Sequence, residues 1–342
     1  MTPLQKLLAQ VAKRSGVILA VIERDFAQGY LLEALAADPA LASTLVFKGG
    51  TALKKVYFGD VYRFSEDLDF TAIGAPAGDA LEAALTPIVR AATTRMSALS
   101  PVASSLARLT YGGPHPGGQE AFAIDLRYPW HRSPLCRIKV EVTPDERVIL
   151  APTARAVIHG YEGGVNGEVL CYAIEEILAE KLRALRQTDV MLASRGWHRP
   201  RVRDYYDLWT ILSTFGATID AATVQRILPE KFAARGLSFR GVGDFFTDRL
   251  IHEARVNWQE KLGRLTPDLV SVDRVLAELP GLVADLLGAA GSPRNEPRSS
   301  SPEGQSARAP SRLVRIPRTG PDLDENLKIG FLATLKEEGR RS

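Results

Sequence analysis

Two phrases decide how this chain folds: Phe47-Lys48-Gly49-Gly50-Thr51-Ala52-Leu53 and, about a dozen residues on, Arg63-Phe64-Ser65-Glu66-Asp67-Leu68-Asp69-Phe70. The apolar run Leu45–Phe47 has strand character and stops at Lys48, whereas Thr51–Tyr57 has helical character. Gly49 and Gly50 therefore lie between a strand and a helix. Without Cβ atoms they let backbone approach a ligand closely, and the free N–H groups of a helix N-terminus suit phosphate. Phe64–Phe70 reads as the next strand. Asp67 and Asp69 alternate around Leu68, so both carboxylates leave one face of that strand. Paired carboxylates repel unless a cation lies between them, and a hard divalent ion such as Mg²⁺ meets that need. Such ions also clamp the attacking and leaving oxygens of phosphoryl and nucleotidyl transfer. Ser65, two residues earlier, falls on the same face, with a hydroxyl placed for a phosphate.

Outward from this core, the apolar spacing predicts amphipathic helices over 3–14 and 18–36 and an Ala/Leu-rich helix over 78–98. Strand-like runs follow at 105–111, 120–128 and 136–143, the last two alternating apolar with polar. Beyond the glycines of 160–167 the sequence turns helical, over 174–186, 204–215, 221–228 and 271–287. The expectation is an α+β chain in three parts. Residues 1–165 form a domain with a mixed sheet and flanking helices, 166–290 form a helical domain that completes the site, and 291–342 form a low-complexity basic tail with a short terminal helix.

The 342 residues carry 43 Lys+Arg against 40 Asp+Glu, a net charge of +3. Residues 291–320 hold six Arg and two Glu, while 321–342 hold four basic and five acidic residues, so the first 290 residues balance at zero. The excess belongs to a Pro/Ser/Gly/Arg segment too poor in large apolar groups to offset chain entropy, which reads as disordered. A nucleic-acid partner would have to be held by a local patch. Two cysteines, Cys136 and Cys171, exclude a disulfide framework and a four-cysteine zinc site, and both read as small buried apolars. No apolar run reaches the ~18 residues of a membrane span, and the N-terminus lacks a secretory signal. A cytoplasmic protein with no membrane association is expected. The five histidines (115, 131, 159, 198, 252) show no metal-ligand spacing and read as surface or structural. The stretch Trp197–Arg203, with Arg195, is basic and aromatic and suits an RNA platform or an exposed loop equally.

Gly-Gly followed at this distance by Ser-x-Asp-x-Asp resembles the signature of the polymerase-β-type nucleotidyltransferases. The fuller wording resembles the abortive-infection AbiEii/AbiGii (MenT-like) toxin group within them. Two later motifs fit in order: Ala179-Glu180-Lys181-Leu182-Arg183-Ala184-Leu185 and Arg203-Asp204-Tyr205-Tyr206-Asp207-Leu208. The resemblance implies that Asp67 and Asp69 ligate Mg²⁺ and that a neighbouring strand adds a third carboxylate. Glu141 in Arg137–Thr143 is the first candidate for it, and Asp125 the alternative. It further implies that Lys181 meets the triphosphate of an NTP, that Asp204 orients Lys181 or an arginine, and that Gly49, Gly50 and Ser65 meet phosphate. Lys48 and Arg63, flanking the core motif, would touch phosphate or acceptor, and Asp207 reads as a helix-surface charge. By the same resemblance Ser65 is a candidate for silencing by phosphorylation.

The activity so implied is that of the toxin of a type IV-like toxin–antitoxin system, with a separate antitoxin as partner. It would act as a monomer, moving an NMP from a pyrimidine nucleotide or GTP to an acceptor hydroxyl, the 3′ end of tRNA. A small-molecule nucleotidyltransferase of the antibiotic-modifying kind and a non-catalytic nucleotide- or partner-binding protein remain as alternatives.

Overall fold

The sheet is organised by the alternation around Asp67 and Asp69. The computed structural model describes residues 1–110, 118–132, 136–144, 146–161, 164–196 and 199–288. The basic tail, with the short terminal helix expected in it, and His115, Trp197 and His198 lie outside the described residues. In chain order the elements are α1 (Pro3–Ser15), α2 (Leu19–Ala36), α3 (Pro39–Ala42), β1 (Leu45–Lys48), α4 (Gly49–Ala52), β2 (Asp67–Ala72), α5 (Asp79–Ser97), β3 (Ala103–Arg108), β4 (Glu120–Arg127), β5 (Cys136–Thr143), β6 (Thr153–Ala156) and β7 (Glu168–Cys171). Five helices follow: α6 (Ile174–Arg195), α7 (Val202–Phe215), α8 (Ala221–Ala233), α9 (Asp248–Leu262) and α10 (Val272–Leu286).

The seven strands form one mixed sheet in the order β3-β4-β5-β2-β1-β7-β6. β2 is central. It pairs antiparallel with β1, Lys48 opposite Asp69, and parallel with β5, Asp69 beside Glu141. On one face Leu45, Phe47, Leu68, Phe70, Phe122, Ile124, Ile138, Val140 and Val142 pack against α1, α2 and α5. The opposite face carries Val46, which joins a second core built with Leu53, Tyr62, Tyr172 and the helices α6–α10. Period-two alternation therefore dictates that Asp67, Asp69, Lys139 and Glu141, each next to a buried apolar residue, point towards the second half of the chain.

Local chemistry explains the flanking elements. The helix beginning at Gly49 continues as one π-helical turn, Leu53–Phe58, that places the Lys54 and Lys55 side chains inside. Lys55 bonds the Asp25 carboxylate at 2.9 Å, and Tyr161 donates to the same carboxylate at 2.8 Å. α6 is rich in straight-chain helix formers, begins with Glu175 and Glu176, and stops at Gly196 in the left-handed conformation. It runs nine residues past the expected end at 186, because Thr188 and Asp189 extend its buried stripe. α8 likewise extends beyond 228 with Pro229 inside it, and α9, β6 and β7 were not anticipated from sequence. Among the described residues no helix is long and apolar enough to cross a membrane.

Candidate active site

The acidic face of β2 forms the floor of a cleft under α6 and α7. Asp69 and Glu141 are register partners, with Asp67 beside Lys139 one pleat away. Burial, then the charges of Glu141 and Asp67, push the Asp69 carboxyl up to about 8. Asp67 is raised for the same reasons, by burial and then Glu141 and Glu66. Burial opposes the Glu141 charge, but Lys139, which donates to its carboxylate, outweighs that and holds it below the usual range. Asp125, the alternative third carboxylate, lies one strand further from β2, on β4, where it faces Arg137 of β5 in register and accepts two 2.7 Å bonds from it. Only Glu141 of the two stands beside Asp69.

The glycine turn is built against these acids. Gly49 has φ +78°, and a Cβ there would lie 2.5 Å from Asp69 Oδ2. A Cβ on Gly50 would meet Arg63 Nη2 at 2.5 Å and Ser65 Oγ at 3.3 Å. Both positions are closed to side chains, one by conformation and both by space. Ser65 thus faces the Gly50 backbone, but from outside the strand on which the sequence reading sets it beside Asp67. β2 begins only at Asp67, and residues 63–66 are a coil held by Gln28 Nε2 donating to the Ser65 carbonyl at 3.3 Å. The Arg63 side chain is buried here, and the Phe64 N–H donates to the Leu265 carbonyl at 2.9 Å rather than to a strand neighbour.

Lys181 projects from the apolar face of α6 and is 7% exposed. It donates to Asp204 Oδ1 at 2.9 Å and to Asp207 Oδ2 at 2.6 Å. Burial works against the ammonium, but Asp207 and Asp204 outweigh it and hold its pKa above the ordinary lysine value. Asp207 corrects the sequence reading of a surface charge. It is fully buried and takes bonds from Tyr62 Oη at 2.5 Å and from Arg63 Nε and Nη2 at 2.7 Å each. A bidentate guanidinium and an ammonium converge on one carboxylate, which holds it far below the usual range despite burial. Its partners lie 26 and about 145 residues away in sequence, and helix periodicity carries no trace of them. Arg63, expected near phosphate or acceptor, is engaged here under the glycine turn.

Two lobes of one cleft open on either side of Asp69, Glu141, Lys181, Arg201 and Asp204, which line both. The first, about 430 Å³, is walled by Lys48, Thr143, Glu146, Tyr172, Ile177, Arg183 and Ala184. Lys48 bonds Glu146 there, with its ammonium 5.8 Å from the Tyr172 ring. The second, about 500 Å³, is walled by Gly49, Gly50, Ser65, Asp67 and a set of arginines. Of the basic stretch read from the sequence, Arg199, Arg201 and Arg203 line this lobe, while Arg195 is exposed at the end of α6. Sequence reasoning did not single out Glu66 or Glu146. Glu66 gathers Arg24, Arg203 and Arg264 at 2.6–3.0 Å, and its place between Ser65 and Asp67 was the available signal.

Among the described residues no three His, Cys, Asp or Glu side chains are drawn close enough to enclose an ion as they stand. The donor set nevertheless suits a hard divalent cation. Asp67, Asp69 and Glu141 are oxygen donors on adjacent positions of one sheet face, where burial and then the mutual repulsion of the carboxylates raise Asp69, and a hard cation would relieve that repulsion. His131 and His159 are elsewhere: the first pairs with Glu23 at 2.9 Å, the second packs among Phe26, Tyr30 and Tyr161. Cys136 and Cys171 are free and buried.

This fold and this site define a class, the nucleotidyltransferases with a Gly-Gly turn feeding an acidic strand. The sequence profile of the family described as nucleotidyl transferase AbiEii toxin, type IV TA system, matches residues 30–278. The chain belongs to that family of nucleotidyltransferase toxins. Among solved structures it is similar to MenT4, a nucleotidyltransferase toxin from Mycobacterium tuberculosis H37Rv, at 22% identity over 84% of this chain and 90% of that one, with a TM-score of 0.58, a likeness of fold. No match to a curated protein sequence was found.

Proposed function

We propose that the protein transfers a nucleoside monophosphate from an NTP to an acceptor hydroxyl, with Mg²⁺ held by Asp67, Asp69 and Glu141. The observation that carries this reading is the parallel register that sets Glu141 beside Asp69, on the sheet face that Lys181 and Asp204 cover. When bound, Mg²⁺ would polarise the α-phosphate and lower the pKa of the attacking hydroxyl. The chain's own residues do the rest. The Gly49-Gly50 turn admits the triphosphate against backbone N–H groups, with the Ser65 hydroxyl alongside. Lys181, kept charged by Asp204 and Asp207, supplies a fixed positive charge to the oxygens on which charge develops. Asp204 orients Lys181, and Lys48 and Arg63 brace the two ends of the glycine turn. The acceptor oxygen bonds to the α-phosphorus, the bridge to the β-phosphate breaks, pyrophosphate leaves with the electron pair, and a cleft carboxylate takes the hydroxyl proton.

Membership in the toxin family supports an antitoxin as partner, action in the cytoplasm and RNA as acceptor, with the 3′ hydroxyl of tRNA as the first choice. The nucleoside would occupy the first lobe, where Ile177, Ala184 and the Tyr172 ring offer apolar surface. The test incubates purified protein with Mg²⁺, total tRNA and each labelled NTP in turn. Label on RNA from one NTP, abolished by Asp69→Asn, is the expected result. Label on no RNA under any NTP, with growth arrest intact in Asp67→Ala and Asp69→Ala, would reject it.

A further inference from the structure

The second lobe carries more positive charge than the family motifs account for. Seven cationic and six anionic side chains line it. Three of the anions are Asp67, Asp69 and Glu141, whose charge the divalent ions of the proposed reaction would offset. The remaining seven cations face three anions, an excess of four, which has the size and sign to meet a triphosphate. We propose that Arg199, Arg201 and Arg203, alternate residues that run from the preceding coil into the first turn of α7 and line the lobe with Gly49, Gly50 and Ser65, form a guanidinium comb for the β- and γ-phosphates and the departing pyrophosphate. This rests on the nucleotidyltransferase reading and assigns the leaving-group half of the same site.

The comb is pre-set by the protein. Arg203 donates to Glu66 at 2.6 Å, and Arg264 reaches the same carboxylate oxygen at 2.9 Å. Glu66 is therefore a positioning residue that draws two guanidiniums from the second half of the chain to the edge of Asp67. Arg201 donates from Nε to Thr188 Oγ1 at 3.3 Å, with Nη1 3.7 Å from Asp204, so its far end remains directed at the cleft that both lobes share. The guanidiniums also stand close enough to disfavour one another. Burial lowers the pKa of Arg201, and the charges of Arg199 and Arg183 lower it further against the opposing pull of Asp204. Burial and then Arg63 lower that of Arg203, outweighing Glu66. Like charges gathered in a partly buried cleft lose that repulsion when an anion enters between them, and guanidinium forks match phosphate oxygens in geometry. The Lys181 ammonium stands where the comb meets the metal face, so it would serve the bridging oxygen while the comb serves the outer phosphates.

The test titrates the full chain with inorganic pyrophosphate and Mg²⁺ by calorimetry and measures pyrophosphate inhibition of transfer. Arg201→Ala and Arg203→Ala should each raise the pyrophosphate dissociation constant about tenfold or more. They should raise KM for the NTP in step and leave KM for the acceptor within about twofold. Arg199→Ala, at an exposed position, should move pyrophosphate binding in the same direction and covers a failure of either other variant to fold. Unchanged pyrophosphate affinity in folded variants overturns the comb. A rise confined to the acceptor KM also overturns it, and gives the arginines to an RNA backbone instead. A wild-type protein that transfers nucleotide but binds pyrophosphate without regard to these arginines sinks the comb alone. One that neither transfers nor binds pyrophosphate sinks the underlying reading with it.

Discussion

Asp207→Ala removes a carboxylate that is fully buried and accepts four hydrogen bonds, two from Arg63, one from Tyr62 and one from Lys181. Arg63, 2% exposed, loses its bidentate partner and keeps a single bond, from Nη1 to the Phe64 carbonyl at 3.2 Å. Lys181 keeps Asp204. An uncompensated buried charge of this kind costs about 3–5 kcal/mol. At about 2–4 °C per kcal/mol for a chain of this size, the melting temperature should fall by roughly 6–20 °C. Urea denaturation of wild type, Asp207→Ala, Arg63→Ala and the double variant closes a cycle. The double variant should be less damaged than the sum of the singles by about 2 kcal/mol or more, since removing Arg63 also removes the stranded charge. The pH sign is specific. Asp207 is depressed in the folded state, so its contribution is present above the unfolded carboxylate pKa and is lost only as pH falls below it towards the folded value. The gap between wild type and Asp207→Asn should therefore stay level from pH 8 to pH 5. A variant within about 1 kcal/mol of wild type, or a gap that closes between pH 8 and 6, would refute this account of the network.

Other outcomes follow from the same geometry. Asp69 is raised to about 8, so without metal the folded state loses stability as pH climbs from the unfolded carboxylate pKa towards 8. Asp69→Asn should then melt higher than wild type at neutral pH in EDTA, by a shift worth on the order of a few kcal/mol, while Mg²⁺ should raise the melting temperature of wild type only; scanning calorimetry with and without Mg²⁺ decides. Gly49→Ala puts a methyl 2.5 Å from Asp69 Oδ2 at φ +78° and should cost at least about 1 kcal/mol and most of the transfer rate; near-normal kcat would count against the close approach. Lys181→Met should abolish transfer and also destabilise, because Asp204 and Asp207 lose their shared ammonium; an active variant would remove Lys181 from the chemistry.

The sequence exposes this fold best where one residue's environment follows from its neighbours. Leu68 and Phe70 bracket Asp69, Val140 and Val142 bracket Glu141, and a two-residue period suffices to place both acids on one face. Lys181 was readable as a lysine on an apolar helix face and Asp204 as its partner by resemblance, whereas Asp207, the second carboxylate on its ammonium, was not. Asp207 was misread because a single charge on a helix says nothing of an arginine 144 residues upstream. α9 escaped notice because Leu250, Ala254, Trp258 and Leu262 are its buried residues in an otherwise charge-rich segment. β6 and β7, four residues each, are too short to show a period. Choosing Glu141 over Asp125 as the residue beside Asp69 required strand order, since both lie on alternating strands and only the sheet reveals which is adjacent to β2.

β2 works as a party wall. Its odd-numbered acids face the cleft, while Leu68 and Phe70 stand in the core shared with α2 and α5. The spacing of the carboxylates is thus governed from behind, by how firmly those apolar side chains are seated. Trimming Phe70 or Val140 would alter the reach of Asp69 and Glu141 without touching any substrate, and the loss would be recorded as a catalytic defect. In this toxin the tolerance of the active site to sequence drift is set by the hydrophobic side of the wall.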